Sequence, residues 1–246
     1  PMTEDVRLAS EAKKRLSGPN MKPADSASLV IVDKREGVHQ VLMGKRSDKH
    51  VFYPGAYVFP GGRVDSDDAI MPAAVEPRPE VIARLKIRMS GRPSDRRARA
   101  IALAGIREAY EEAGILFGKP GRTTKPVPKD WQGFVDHGLL PDPTSLVYFM
   151  RARTPPRRPR RFDNRFFAVD VSAIALDLPR GKRPTDELGD LVWVPLTDVK
   201  SLHLPNIQQV AMEELQARLN TPDGLAAHHP VPYYHAVGSR FRRDLL

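Results

Sequence analysis

The stretch from Ser94 to Gly114 restricts the fold most. Residues 95–113, DRRARAIALAGIREAYEEA, are helix formers throughout except for Gly105. Ser94 follows Pro93 as an N-cap, and Asp95 lies in the first turn, where the helix dipole favours an anion. Gly114 stands where a left-handed residue closes a helix. One long helix is therefore predicted over 95–113. Its C-terminal end is electrostatically costly. Glu108, Glu111 and Glu112 fall at i, i+3 and i+4, so their carboxylates share one face. Each such like-charge pair costs roughly a few tenths of a kcal/mol, and the dipole disfavours anions there. A hard divalent cation would offset both terms, because Mg2+ and Mn2+ prefer carboxylate oxygens. The plainer alternative is a solvated acidic helix end neutralised by Arg107.

The rest of the chain supplies strands around this helix. Ser28–Asp33 and His39–Lys45 read as a hairpin. Residues 50–64, HVFYPGAYVFPGGRV, read as a loop, a short strand and a tight turn. At that turn, Gly61 and Gly62 allow backbone to approach a ligand or metal closely. A helical stretch is expected at Glu80–Met89, strands at Leu146–Arg153, Arg165–Val171 and Leu191–Pro195, and a helix over Pro205–Asn220. A short helical pattern runs from Val6 to Leu16. The tail HHPVPYYHAVGSRFRRDLL gives no clear assignment. Strands on both sides of one central helix predict an α/β fold, a mixed β-sheet sandwiched between helices.

Charge and composition narrow the function. The chain carries 39 Lys+Arg against 30 Asp+Glu, a net +9, which concentrates anions such as phosphate esters. The densest basic run, Arg157, Arg158, Arg160 and Arg161, is broken by three prolines and reads as an extended solvated loop or a phosphate-steering edge. No aromatic residues interleave with it as stacking platforms, which argues against a nucleic-acid partner. With no cysteine there is no disulfide, thiolate metal site or cysteine nucleophile. The seven histidines, His228 and His229 among them, show no metal-ligand spacing. No apolar run approaches the ~20 residues needed to span a bilayer. No secretory signal is visible, and a cytoplasmic enzyme is expected. Pro1 ahead of Met2 reads as foreign to the natural start.

The segment REAYEEAGI at 107–115 fits the second half of the Nudix box, and Gly62 fits its start. The chain thus resembles the Nudix hydrolases. Two departures stand out. The position six after Gly62 is Asp68, where the family has glutamate, leaving Asp65, Asp67 and Asp68 as competing outer carboxylates. The arginine expected at 76 stands at 107, an insertion of 31 residues. A long insertion here, together with VLMGKRSDKHVFYPGAYVFPGGRVDSDD, RRFDNRFFAVDV and DELGDLVWVPLTDV, is similar to a branch related to coenzyme A diphosphatases.

The resemblance implies a Nudix-type α/β/α sandwich, with an arm over residues 1–24 and one domain over 25–246. That domain would hold an insertion near 69–93 and a tail from about 221. It implies Mg2+ (or Mn2+) held by Glu108, Glu111 and Glu112 near the Gly61/Gly62 backbone, with Arg107 fixing a glutamate rotamer. The general base would be Glu111 or Glu112, or Glu187 from a downstream loop. Arg46, Arg63, Arg161 and Arg165 are expected to face phosphate. Phe52, Tyr53 and Tyr57 would pack or stack on a base, and Trp193 would lie in the core. The implied reaction is hydrolysis of the pyrophosphate bond in a nucleoside diphosphate linked to another group, with coenzyme A or acyl-CoA leading. ADP-ribose, NADH and nucleotide sugars are alternatives, as is a basic RNA-binding or decapping-type protein. A homodimer is a further expectation drawn from relatives.

Overall fold

A computed structural model describes residues 7–8, 10, 19–46, 55–238 and 240–246. Arg7, Leu8 and Ser10 are helical; the remainder of the helix expected near Val6–Leu16 lies outside the described residues, as do Phe52 and Tyr53.

The apolar run that predicts a first strand forms β1 (Ala24–Arg35), which turns at Glu36–Gly37 into β2 (Val38–Arg46). β1 is central because it is apolar on both faces, from Ala27 to Val32. Two short strands, β3 (Tyr57–Val58) and β4 (Gly61–Arg63), pair antiparallel with β2 and β1. The segment after β4 contains α1 (Pro79–Lys86) and leads into α2 (Asp95–Ala113). Then follow β5 (Ile115–Leu116), β6 (Gly118–Pro120), α3 (Gln132–Asp136), β7 (Leu139–Pro141), β8 (Val147–Arg153) and β9 (Phe162–Asp170). β10 (Leu176–Asp177), β11 (Leu188–Pro195), α4 (Asn206–Leu219), β12 (Pro232–Val237) and β13 (Arg240–Leu245) complete the order.

Nine strands make one mixed sheet in the order β11-β2-β1-β9-β8-β12-β13, with β3 joined to β2 and β4 to β1 off that path. β1 runs parallel to β9 and β8 parallel to β12; the other pairs are antiparallel. Period-two alternation sends Ala27, Leu29 and Ile31 to one face, against Ile101, Leu103 and Ile106 of α2. Val30 and Val32 go to the other face, against Val210, Met212 and Leu215 of α4. The result is the expected α/β fold, a mixed sheet between helices.

α2 has the predicted ends. Ser94 Oγ accepts the Arg97 N–H at 3.2 Å, and Gly114 adopts φ 73°, which only glycine takes up cheaply. The tail over 221–246, unassigned from sequence, ends in the β12–β13 hairpin and extends the sheet. Its polar strands have no alternation strong enough to read without the neighbouring β8. α1 is shorter than the expected Glu80–Met89 because Ile87 leaves the helical backbone at ψ 125° and Arg88 follows at φ 51°. Trp193 is half-buried with Arg35 over its ring at 5.1 Å, and Tyr57 packs against the α4-side core.

A buried ionic knot ties α1 to the sheet. Asp163 accepts from Arg151 at 2.7 Å, and both side chains are essentially inaccessible. Arg151 also donates to the carbonyls of Ile87 and Arg88 and lies over the Tyr233 ring at 4.5 Å. This knot contains Arg165, which corrects the phosphate-facing expectation for that residue. Arg165 is fully buried and donates to Asp25 Oδ1 at 2.7 Å and to the Asp163 carbonyl. Arg161 is half-buried and donates to the carbonyl oxygens of Thr154 and Met21 and to Asn20 Oδ1. Its guanidinium serves the β8–β9 hairpin, not an open phosphate edge.

Candidate active site

The C-terminal half of α2 packs against β4, and this contact builds the site. Gly62 faces the helix so closely that a Cβ there would stand 2.6 Å from Glu108 Oε2. Next to it, the Gly61 N–H donates to Glu112 Oε2 at 2.8 Å. The glycine pair is thus a cradle for two carboxylates, with no room for a side chain at 62.

Arg107 organises the other side. Its guanidinium, about 5% exposed, donates to Asp68 at 2.8 Å, Glu111 Oε2 at 2.8 Å and the Arg63 carbonyl at 2.8 Å, and pairs with Glu108 Oε1 at 2.9 Å. Asp68 is fully buried and also receives the Asp65 N–H and the Trp131 indole N–H. Of the three aspartates that compete from sequence, Asp68 is the one joined to the helix. It reaches Arg107 from a short helical turn at Asp67–Ala69, so the chain can leave after Ala69, return at Asp95 and still close the pair.

Three carboxylates (Asp68, Glu108 and Glu111) therefore surround one guanidinium, and Glu112 stands beside Glu108 on the Gly61 N–H. Burial pushes the Glu108 carboxyl up to about 7, although Arg107 pulls the other way. Burial raises Glu111 too, again opposed by Arg107. Glu112 lies well above the usual carboxylate range because it is buried beside Glu108, with partial relief from the Gly61 N–H. Asp68 is raised by burial despite its hydrogen bonds. Arg107 is held firmly protonated: burial alone would lower it, and Asp68, Glu108 and Glu111 together reverse that. The site is short of positive charge. An all-oxygen, anionic donor set in a glycine cradle fits a hard divalent cation such as Mg2+.

Arg46 and Glu187 meet at the rim, where the end of β2 lies beside the start of β11. Arg46 Nη2 donates to Glu187 Oε1 at 2.5 Å. Both act on Glu112, Glu187 raising its proton affinity and Arg46 lowering it. Arg63 brings its backbone, not its side chain, to the carboxylates. The residue lines a cleft of about 440 Å3 along the first half of α2 with Asp25, Ser94, Arg96, Arg97 and Ala100.

Sequence reasoning missed Trp131, whose indole fixes Asp68. It also missed a histidine cluster. Spacing along the chain shows no ligand pattern, yet folding brings donor atoms of Asp223, His228 and His229 within 4.8 Å of one another. Among the described residues this is the group drawn so close; the glutamates are spread more widely, with Arg107 between Glu108 and Glu111. No helix of the described residues is long and apolar enough to cross a membrane.

No protein-family model matches the chain, and no curated protein matches it. Solved structures do match. A NUDIX hydrolase from Alicyclobacillus acidocaldarius superposes with a TM-score of 0.57 at 26% identity, over 78% of this chain and 90% of that one. The MutT protein from Methanosarcina mazei Go1 gives 0.46 at 15% identity, over 84% and 100%. The NUDIX domain of Shewanella oneidensis NrtR, complexed with ADP ribose, gives 0.45 at 13% identity, over 81% and 90%.

Proposed function

We propose that this chain, a Nudix-type pyrophosphohydrolase by its fold and its likeness to the A. acidocaldarius enzyme, cleaves the diphosphate bridge of coenzyme A or an acyl-CoA. The observation that carries the hydrolytic reading is the gathering of the Asp68, Glu108 and Glu111 carboxylates round Arg107, with Glu112 beside them on the Gly61–Gly62 cradle. The choice of coenzyme A within that reaction rests on the sequence likeness to the coenzyme A diphosphatase branch.

Glu108, Glu111 and Glu112 would hold Mg2+. The ion, when bound, neutralises the diphosphate oxygens and acidifies water. This chain's own residues orient and exclude. Arg107 fixes Glu108 and Glu111 and is itself locked by Asp68, so the helix end cannot relax to spread its charge. Glu112 is the group we assign to take the proton of the attacking water. Its Oε2 is engaged by Gly61, leaving Oε1 for the proton. Its burial beside Glu108 raises its proton affinity above that of an exposed glutamate. Glu187, tied to Arg46, tunes Glu112 from the rim. Preorganised charge of this kind contributes without reorganisation as the reaction proceeds.

The test is a Mg2+-supplemented panel of coenzyme A, ADP-ribose, NADH and nucleotide sugars, with product masses. Coenzyme A should yield phosphopantetheine and adenosine bisphosphate at the highest kcat/KM. Preference for another member of the panel would overturn the substrate; turnover of none would overturn the hydrolytic reading.

A further inference from the structure

We propose that Asp223, His228 and His229 form a second metal site that takes Zn2+, separate from the glutamate cluster. The three donor groups come from one loop, between the end of α4 and the start of β12. Asp223 Oδ2 stands 3.3 Å from His228 Nε2, and the two imidazoles lie face to face with centroids 4.8 Å apart. The Asp223–His228 pair matches the ligand spacing of tetrahedral zinc, whose bonds to nitrogen and oxygen are about 2.0–2.2 Å. The donor atoms of all three residues lie within 4.8 Å of one another, and turning the stacked His229 ring would close the set.

The loop is built to present these groups. Thr221 caps the end of α4 by donating to the Arg218 carbonyl at 2.7 Å, and the Gly224 and Ala226 N–H groups close turns onto the carbonyls of Thr221 and Asp223. From the other side, Arg84 of α1 donates to the carbonyl oxygens of both His228 and His229, and Arg218 donates to that of Pro230. Two helices, α1 and α4, therefore fix the backbone under the ligands, and the Thr221 hydroxyl lies 3.4 Å from His229 Nε2.

The donor set decides which metal. Two imidazole nitrogens and one carboxylate suit a borderline ion such as zinc, whereas a hard cation prefers all-oxygen donors. Mg2+ would remain with the all-oxygen glutamates. Bound zinc would clamp the α4–β12 loop, and through Arg84 it would also hold α1 of the insertion. With three protein ligands at the surface, the fourth position falls to water.

The experiment is zinc titration of tag-free full-length protein in excess Mg2+, followed by calorimetry and thermal melting. Wild type, His228→Ala, His229→Ala, Asp223→Asn and Glu112→Gln would be compared. We expect about one equivalent of Zn2+ in wild type and in Glu112→Gln, with an upward melting shift. Either histidine variant should weaken binding by about 100-fold or more, since even the outer partners of metal ligands are worth about 10–100-fold. Their Mg2+-dependent turnover should match wild type. Tight zinc binding retained by both histidine variants would overturn the site, as would zinc binding lost in Glu112→Gln alone. Co2+ substitution gives an independent check: the tetrahedral absorption bands should appear in wild type and vanish in His229→Ala.

Discussion

Replacing Glu108 by glutamine isolates the electrostatic cost of the carboxylate cluster. In the unfolded chain Glu108 ionises near its ordinary 4.5, while in the folded protein burial holds it at about 7. Between those two values the folded state binds more protons, so the contribution to stability is present in acid and is lost as pH rises through 7. Each tenfold change in proton activity across that window is worth about 1.4 kcal/mol, so the metal-free wild type loses roughly 3 kcal/mol from this one group. The Glu108→Gln variant has no such dependence. It also weakens the 2.9 Å contact with Arg107, whose pull on the ionised carboxylate is already contained in the folded value of about 7. Urea denaturation in EDTA at several pH values from about 4.5 to about 8 would therefore show the variant gaining on wild type by roughly 3 kcal/mol. Added Mg2+ should reverse the order at high pH, stabilising wild type by about 2.7 kcal/mol at a hundredfold excess over its dissociation constant. A stability difference that does not change with pH, or one that moves the other way, would refute this account of the site.

Other perturbations follow from the same geometry. Glu111→Gln or Glu112→Gln should lower turnover by orders of magnitude with the melting temperature unchanged or raised, read by steady-state kinetics beside a thermal scan. Gly62→Ala forces a methyl into the Glu108 carboxylate, and a displacement of about 1 Å there should cost about 100-fold in kcat/KM while circular dichroism stays native. Asp163→Ala strands the buried guanidinium of Arg151 and should destabilise by about 3–5 kcal/mol, measured by chemical denaturation. Arg161→Ala should leave KM unchanged, because its guanidinium is spent on Thr154 and Met21; a raised KM would restore it as a phosphate contact.

Local rules make α2 readable. The Ser94 cap, the helix formers and Gly114 are short-range signals, and each is found at its expected place. The β-rich runs of β1 and β2, parted by charged turn residues and Gly37, read as a hairpin for the same reason, and the acidic triplet at 108–112 declares one face by arithmetic alone. The arginines are not readable in this way. Arg46, Arg161 and Arg165 look alike in sequence, yet one sits at the site rim, one braces a hairpin and one is buried in an ionic knot. A guanidinium reaches too far for its neighbours in sequence to fix its partner. The tail strands stay hidden because their partner β8 lies about 80 residues upstream, and a polar strand declares itself only through pairing.

The amino-acid order by itself therefore determined the helix, its termini and the concentration of negative charge at its end, since all three depend on residues within a few turns of each other. Tertiary structure alone decided which acid answers Arg107 and where the glycines press against the glutamates. Those outcomes depend on loop closure across tens of residues, and no spacing rule along the chain encodes where such a loop comes back.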